Sequence, residues 1–147
     1  LRFGRKDKGH HAGAHIDVNP EGEILHPVSH SYNWVLEPDN NPMVWYDPWW
    51  DPEDIEQCKL AVQGKLPFPG YEAEAQSSQS LVYQEIPCEM LERSSEHCIS
   101  HKTLTICRTN IPHNVDMISD KDRWCITARN LGDFAQPVWS EVVNKFT

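Results

Sequence analysis

The stretch RWCITARN at residues 123–130 is the most informative segment of this sequence. Successive side chains of a β-strand point to opposite faces. One face of this predicted strand therefore carries Arg123, Cys125, Thr127 and Arg129. Two guanidinium groups on one face are costly inside a protein unless an anion meets them. The other face is apolar and can pack, so the strand is predicted to be buried. The face with the two arginines is then predicted to line a site for an anionic ligand.

Other short runs of β-branched and aromatic residues recur along the chain between turn signals, and the chain contains 11 prolines. The predicted strands are residues 14–19, 31–36, 43–46, 81–86, 102–109 and 123–130. Short strands bounded by turns are typical of an all-β sandwich or barrel. We expect residues 1–147 to form a single domain, and the absence of an initiating Met allows for a missing N-terminal part.

Helices are predicted to be few and peripheral. The clearest has Asp51 as its N-cap and Pro52 at its first position, and it continues through Ile55–Val62. Two shorter helices are predicted at residues 89–96 and 139–146. Residues 63–80, rich in Gly, Pro, Ser and Gln, are predicted to form a long loop.

Composition excludes several classes of protein. The net charge of −9 argues against general nucleic-acid binding, because an acidic surface repels a phosphate backbone. No apolar run approaches 18 residues, so no membrane span is predicted. The five cysteines are odd in number and form no C-x-x-C pair, which favours a reducing, cytoplasmic compartment over a disulfide framework.

A metal site is suggested by His15-Ile16-Asp17. On a strand, the side chains of His15 and Asp17 point the same way. The H-x-D pattern alone is weak, but His113 lies in an Asn-Ile-Pro-His turn shortly before the Arg123 strand. Two histidines and one carboxylate form the triad that suits Fe(II) and leaves coordination positions open.

This combination of motifs resembles the iron(II)- and 2-oxoglutarate-dependent oxygenases. The resemblance consists of His15-x-Asp17, a distal His113 with Val115 two residues later, and Arg123 ten residues beyond that histidine. The stretches SYNWVL at residues 31–36 and MVWYD at residues 43–47 are also similar to strands of small bacterial and phage members. The resemblance implies an all-β dominated, double-stranded β-helix fold (jelly roll or cupin-like) with one or two peripheral helices.

The resemblance also implies roles for individual residues. His15, Asp17 and His113 would bind Fe(II) and serve as the catalytic centre. Arg123 would hold the distal carboxylate of 2-oxoglutarate, with Arg129 on the same strand face as its alternative. The remaining candidates for the co-substrate pocket are Asn33 and Tyr46.

The implied activity is that of an oxidoreductase, a dioxygenase. With O₂ and 2-oxoglutarate it would hydroxylate an unactivated C–H bond of a small molecule or an amino-acid side chain. Two alternatives stay open. One is a cupin-type metal enzyme that does not use 2-oxoglutarate; such sites commonly hold three histidines and a Glu. The other is a non-catalytic β-sandwich module that binds a ligand through the aromatic cluster at residues 45–50.

Overall fold

The strands and helices form where the short β-branched and aromatic runs lie between turns. The structure, a computed structural model, describes residues 2–6, 13–21, 24–37, 40–66, 86–129 and 138–147. Its strands are β1 (Arg2–Lys6), β2 (Val18–Glu21), β3 (Ile24–Pro27), β4 (His30–Val35), β5 (Met43–Tyr46), β6 (Arg93–His97), β7 (Thr105–Arg108), β8 (His113–Val115) and β9 (Arg123–Ala128). Its helices are α1 (Ile55–Val62) and α2 (Trp139–Phe146).

The strands pair in a nested pattern. A four-stranded sheet has the order β1-β9-β4-β7 and a three-stranded sheet the order β6-β5-β8, while β2 and β3 form a separate hairpin. Residues 13–17, here called the bridge segment, extend the three-stranded sheet through an antiparallel bridge between His15 and His113. Early strands thus pair with late ones: β1 with β9, the bridge segment with β8, β4 with β7, and β5 with β6.

The two sheets pack against each other through one hydrophobic cluster. It joins Val35 of β4 and Cys107 of β7 to Met43 of β5, with Trp45 packed alongside. The cluster identifies the inner face of each sheet, because side chains alternate along a strand. Cys125 is the register partner of Val35 and Thr127 that of Asn33, so the odd-numbered residues of β9 also face inward.

The prediction of an all-β dominated chain with two peripheral helices is confirmed for the described residues. Strand β5 and helix α2 have the predicted bounds, and α1 ends at the predicted Val62 but begins at Ile55 instead of Pro52. The predicted cap of α1 is wrong: Asp54, not Asp51, accepts the amides of Glu56 and Gln57. Asp51 instead accepts the amide of Glu53, because Pro52 and Glu53 form a separate turn before the helix begins.

The predicted helix at residues 89–96 is also wrong. Residues 88–90 form a single 3₁₀ turn, and Arg93–His97 is the strand β6, which pairs with β5. Two serines in this stretch favour neither structure strongly, so the pairing with β5 decides. Strands β1, β3 and β8 were not predicted. The sequence of β1 is basic, β3 ends at Pro27, and β8 has only three residues. Most of the predicted loop at 63–80, and residues 81–85 of a predicted strand, lie outside the described residues.

Neither described helix has the length and apolar composition needed to cross a membrane.

Val35 offers a test of the packing between the sheets. Its side chain is fully buried in the cluster that joins them. Truncation to Ala leaves a cavity there, so we expect Val35→Ala to lower the free energy of unfolding by about 2 kcal/mol. Urea denaturation measures this change. Ser95→Ala, at an exposed position of β6, is the control and should change stability little; equal effects of the two would contradict the packing described.

Candidate metal centre

Backbone pairing brings the first two candidate ligands together. The amide of His15 donates to the carbonyl of His113 and the amide of His113 donates back, both at 3.0 Å. Directly paired residues of antiparallel strands project their side chains to the same side. Their imidazole centroids accordingly lie 4.6 Å apart. Trp45 is the register partner of His113 on the other side, so the two rings face the interior between the sheets.

Asp17 is held by backbone hydrogen bonds on both of its sides. Its amide donates to the carbonyl of Thr109, and its carbonyl accepts the amide of Val28, each at 3.0 Å. Its side chain is buried, with 6% of the residue exposed. The carboxylate is therefore fixed beside the histidine pair by the chain that surrounds it.

The three side chains form a group that can hold a metal ion. One ligand atom from each of His15, Asp17 and His113 lies within 4.8 Å of the others. Asp17 Oδ1 is 3.6 Å from His15 Nε2 and 4.0 Å from His113 Nε2. Bonds to a metal of about 2.0–2.2 Å allow ligand atoms to lie up to about 4.4 Å apart, so both distances suit a shared ion. Two imidazole nitrogens and one carboxylate oxygen are suitable donors for Fe(II).

The tautomer of His113 is determined by its backbone contact. Its Nδ1 lies 2.9 Å from the carbonyl oxygen of Ile111. A carbonyl can only accept, so Nδ1 donates to it, and Nε2, which faces Asp17, is the nitrogen that can bind a metal. This is the usual arrangement for a metal-binding histidine. His15 is more accessible, with 36% of its side chain exposed, so the site opens to solvent on that side.

Arg129 contacts the carboxylate of the triad. Its Nη2 donates to Asp17 Oδ1 at 2.8 Å, the same oxygen that faces both imidazoles. Its Nε is buried and has no hydrogen-bond partner among the described residues. Arg129 thus has one buried donor without an acceptor among the described residues, and its Nη2 is engaged by the triad carboxylate.

Arg123 lies at the other end of β9. It is 4% exposed, and its Nη1 donates to the carbonyl of Asn41 at 3.0 Å. Six residues separate it from Arg129, or about 20 Å of extended strand. Arg123 and Arg129 therefore lie at opposite ends of this strand face.

A chain of polar side chains lies on the inner face near β9. Thr127 donates to Asn33 Oδ1, and Asn33 Nδ2 donates to Ser31 Oγ, both at 2.7 Å. Burial raises the pKa of the neighbouring Cys107 thiol to about 11, and the charges of Arg123 and Asp17 also act on it. Cys107 is the register partner of Ser31, so it lies on the same inner face as these polar side chains.

Tyr46 does not join this group. Its hydroxyl donates to Asn114 Oδ1 at 3.3 Å, and Asn114 adjoins His113 on β8, so it points to the opposite face. Burial, followed by a hydrogen bond with Cys88, raises the pKa of Tyr46 to about 12. With Arg93 and Leu91 these residues line an outer cavity of about 660 Å³. The structure separates Tyr46 from the other candidate site residues by the thickness of the sheet.

The aromatic cluster is mostly packed rather than open. Trp45 donates to the carbonyl of Arg108 at 2.8 Å. Trp49 and Trp50 meet edge to face at 4.7 Å, and Trp50 is only 7% exposed. This arrangement does not favour a ligand-binding platform at residues 45–50.

Some contributors to the site had no clear signal in the sequence. The backbone bonds of Asp17 to Thr109 and Val28 depend on tertiary pairing, and the Ile111 carbonyl, two residues before His113, is a backbone group that the sequence does not distinguish. Thr127 could have been recognised, because it shares the strand face of both arginines. Ser31 could have been identified in the same way from its alternation with Asn33.

Comparisons with known proteins found no similar protein. No protein-family model matches the chain, and neither the curated proteins nor the solved structures contain a significant match.

Replacing any member of the triad should abolish tight metal binding. We expect His15→Ala, Asp17→Ala and His113→Ala each to weaken anaerobic Fe(II) binding by more than about 100-fold, since each removes a direct ligand, and even supporting residues cost about 10- to 100-fold. Titration calorimetry measures the affinity. His97→Ala, at an exposed position of β6, is the control; if it weakened binding as much as the triad variants, the site would lie elsewhere.

Arg129→Gln should instead raise the affinity of the protein for Fe(II). Because its Nη2 is 2.8 Å from Asp17 Oδ1, the guanidinium would lie within about 5 Å of a bound ion. At an effective dielectric constant of about 20, this repulsion amounts to several kcal/mol. We expect at least about tenfold tighter Fe(II) binding in Arg129→Gln, and little change in Arg129→Lys. Weaker binding in the Gln variant would mean that Arg129 acts chiefly by positioning Asp17.

Proposed function

We propose that this protein is an Fe(II)- and 2-oxoglutarate-dependent dioxygenase that hydroxylates an unactivated C–H bond. The substrate class is a small molecule or an amino-acid side chain. The observation that carries the proposal is the convergence of His15, Asp17 and His113, within 4.8 Å of one another, from distant parts of the chain. Two histidines and one carboxylate leave three positions of an octahedral ion open, enough for a chelating co-substrate and O₂.

The strand arrangement supports a jelly roll, the architecture that the proposal implies. Jelly rolls consist of eight strands in two sheets. With the bridge segment counted, the two sheets here have four members each, and early strands pair with late strands throughout. The candidate ligands lie on the inner face of the second sheet, where a double-stranded β-helix would enclose them.

The positions of the two arginines suggest different roles for them. A 2-oxo acid that chelates the metal must extend its distal carboxylate away from the triad. Arg123 is buried and faces the same interior from the far end of β9, and its planar fork suits a carboxylate. Arg129 contacts Asp17 directly, so it is too close to the ligands to receive the distal group. We assign the distal carboxylate to Arg123.

The protein's own contribution is binding and orientation. Bound iron would supply the activation of O₂, coupled to decarboxylation of the 2-oxo acid. The Ile111 carbonyl keeps His113 in the tautomer that binds metal. Asn33, held by Thr127 and Ser31, presents a fixed amide to the interior. The partly exposed His15 marks the side on which the substrate would enter.

The alternative functions have less support. Cupin-type sites commonly use three histidines and a Glu, whereas the metal-ligand group in the described residues has two histidines and one Asp. A binding module would need an open aromatic surface at residues 45–50, but Trp50 is buried and Trp45 is hydrogen-bonded.

Spectroscopy tests the proposal directly. Anaerobic addition of Fe(II) and then 2-oxoglutarate should produce a weak visible charge-transfer band, because the 2-oxo acid chelates the iron. In Arg123→Ala we expect the affinity for 2-oxoglutarate to fall by about 10- to 100-fold, the value of a lost charge-assisted hydrogen bond. Fe(II) affinity should stay nearly unchanged, since Arg123 donates to the carbonyl of Asn41 and lies at the opposite end of β9 from Arg129, the arginine that contacts Asp17.

The exposed Arg5 provides the matched control, and Arg5→Ala should leave both affinities unchanged. An absent band in the wild type, or a band that persists in both His15→Ala and Asp17→Ala, would refute the proposed function. A band with unchanged 2-oxoglutarate affinity in Arg123→Ala would overturn the assignment of the distal carboxylate to Arg123.

A further inference from the structure

The outer cavity lies on the face of the three-stranded sheet that is opposite to the triad. Its volume of about 660 Å³ falls within the range of pockets that hold small molecules, about 300–1,000 Å³. Two polar side chains that line it are almost fully buried: Tyr46 of β5 is 2% exposed and Asn114 of β8 is 6% exposed. Cys88 and Arg93 also contribute polar groups to the lining. Among the described residues that line this cavity, none is assigned to the metal or to 2-oxoglutarate.

Hydrogen-bond donors converge on the sulfur of Cys88 within this cavity. Asn114 Nδ2 donates to Cys88 Sγ at 3.2 Å. The Tyr46 hydroxyl, which lies 3.3 Å from Asn114 Oδ1, also forms a hydrogen bond with Cys88. Burial, and then this contact with Cys88, raises the pKa of Tyr46 to about 12, so the phenol keeps its proton at physiological pH and can donate. Donors that point at a sulfur atom stabilise its thiolate form, and the thiolate is the nucleophile.

The surroundings of Cys98 are the reverse of those of Cys88. Cys98 is exposed, and its thiol donates to the carbonyl of Asn40 at 3.7 Å. Because a carbonyl can only accept, this contact favours the protonated thiol. Cys58 and Cys107 are buried, and burial raises the pKa of both thiols. Cys88 therefore combines donors at its sulfur with a cavity that gives a reagent room to reach it.

The charged side chains around the outer cavity are mostly acidic. Arg93 Nη2 contacts Asp116 at 2.6 Å, and its Nη1 contacts Glu96 at 3.1 Å, so two carboxylates neutralise this guanidinium. Glu89 follows Cys88 directly and lines the same cavity. One arginine against three carboxylates leaves a negative potential, which has the same sign as the net charge of −9. The cavity therefore favours a cationic reagent over an anionic one.

We propose that the outer cavity is a covalent binding site in which Cys88 undergoes thiol–disulfide exchange with a small disulfide that carries an ammonium group. The thiolate of Cys88 attacks one sulfur of the disulfide, whose S–S bond breaks as the mixed disulfide with Cys88 forms. The other half leaves as a thiolate and takes up the proton that Cys88 released. The disulfide is the oxidant, so Cys88 is oxidised while half of the reagent is reduced to a free thiol. The step uses no metal and is independent of the proposed dioxygenase activity.

Reaction of the whole chain with cystamine, a disulfide with two ammonium groups, tests this inference without added iron. Peptide mass spectrometry measures the rate at each cysteine. We expect Cys88 to form the mixed disulfide at least about tenfold faster than the more exposed Cys98, the factor expected from one hydrogen bond to a charged group. Asn114→Leu removes the donor and keeps a similar size, so it should slow Cys88 by about tenfold and leave Cys98 unchanged. Tyr46→Phe is a second variant in case the first does not fold, and circular dichroism checks the folding of both.

Dithiodipropionate, an anionic disulfide of similar size, tests the role of charge. The ratio of the cystamine rate to the dithiodipropionate rate at Cys88 should fall at least about threefold in Glu89→Gln, because a carboxylate beside the sulfur is lost. Higher ionic strength should lower the same ratio by screening. Glu141→Gln, the same substitution in α2, is the matched control and should leave the ratio unchanged.

Each outcome supports or overturns the proposed exchange at Cys88. Modification of Cys98 as fast as that of Cys88 would overturn it, as would a Cys88 rate that folded Asn114→Leu and Tyr46→Phe both leave unchanged. A rate ratio that Glu89→Gln and Glu141→Gln affect equally would reject a reagent with an ammonium group. Faster reaction of Cys88 that depends on the Asn114 amide and on the Glu89 carboxylate supports the proposal, whether or not the chain binds iron.

Discussion

The pair of backbone hydrogen bonds between His15 and His113 is the constraint on which the rest of the site depends. These bonds join the bridge segment to β8. They place two imidazoles side by side without requiring either side chain to make a specific contact. Asp17 follows two residues later, so the alternation of the chain presents its carboxylate on the same side. A group of side chains that can hold a metal ion thus results from sheet pairing, which rests on backbone hydrogen bonds and not on contacts between the three side chains.

The four-stranded sheet has an unusual distribution of polarity. Its inner face holds Arg123, Asn33 and Ser31, which a β-sandwich would ordinarily fill with apolar side chains. Burying these groups is costly unless they are hydrogen-bonded, and each of them has a partner. The apolar cluster of Val35, Cys107 and Met43 is correspondingly small. Because side chains alternate along a strand, the same sheet carries these polar groups on its inner face and the exposed Trp34 and Trp124 on its outer face.

The interpretation of particular residues shows what alternation and spacing can predict. The common face of Arg123 and Thr127 followed from the period of two and agrees with the register of β9 against β4. Tyr46 shows the limit of that reasoning. Its strand was predicted with the correct bounds, but its face was not, because MVWY is apolar at every position and lacks alternation. The helix predicted at residues 89–96 failed for a related reason: a short polar segment has no periodicity, and its structure came from pairing with β5.

The sequence by itself determined the elements that depend on short-range patterns, which are strand β5 and the two helices. It also determined which residues are able to bind a metal. Tertiary structure alone decided that His113 lies beside His15, that Arg129 rather than Arg123 contacts Asp17, and that Tyr46 lines the opposite face. The physical reason is that β-pairing joins residues distant in the chain through backbone groups common to all residues. Side-chain chemistry therefore carries little information about which strands meet, and only the assembled sheets specify it.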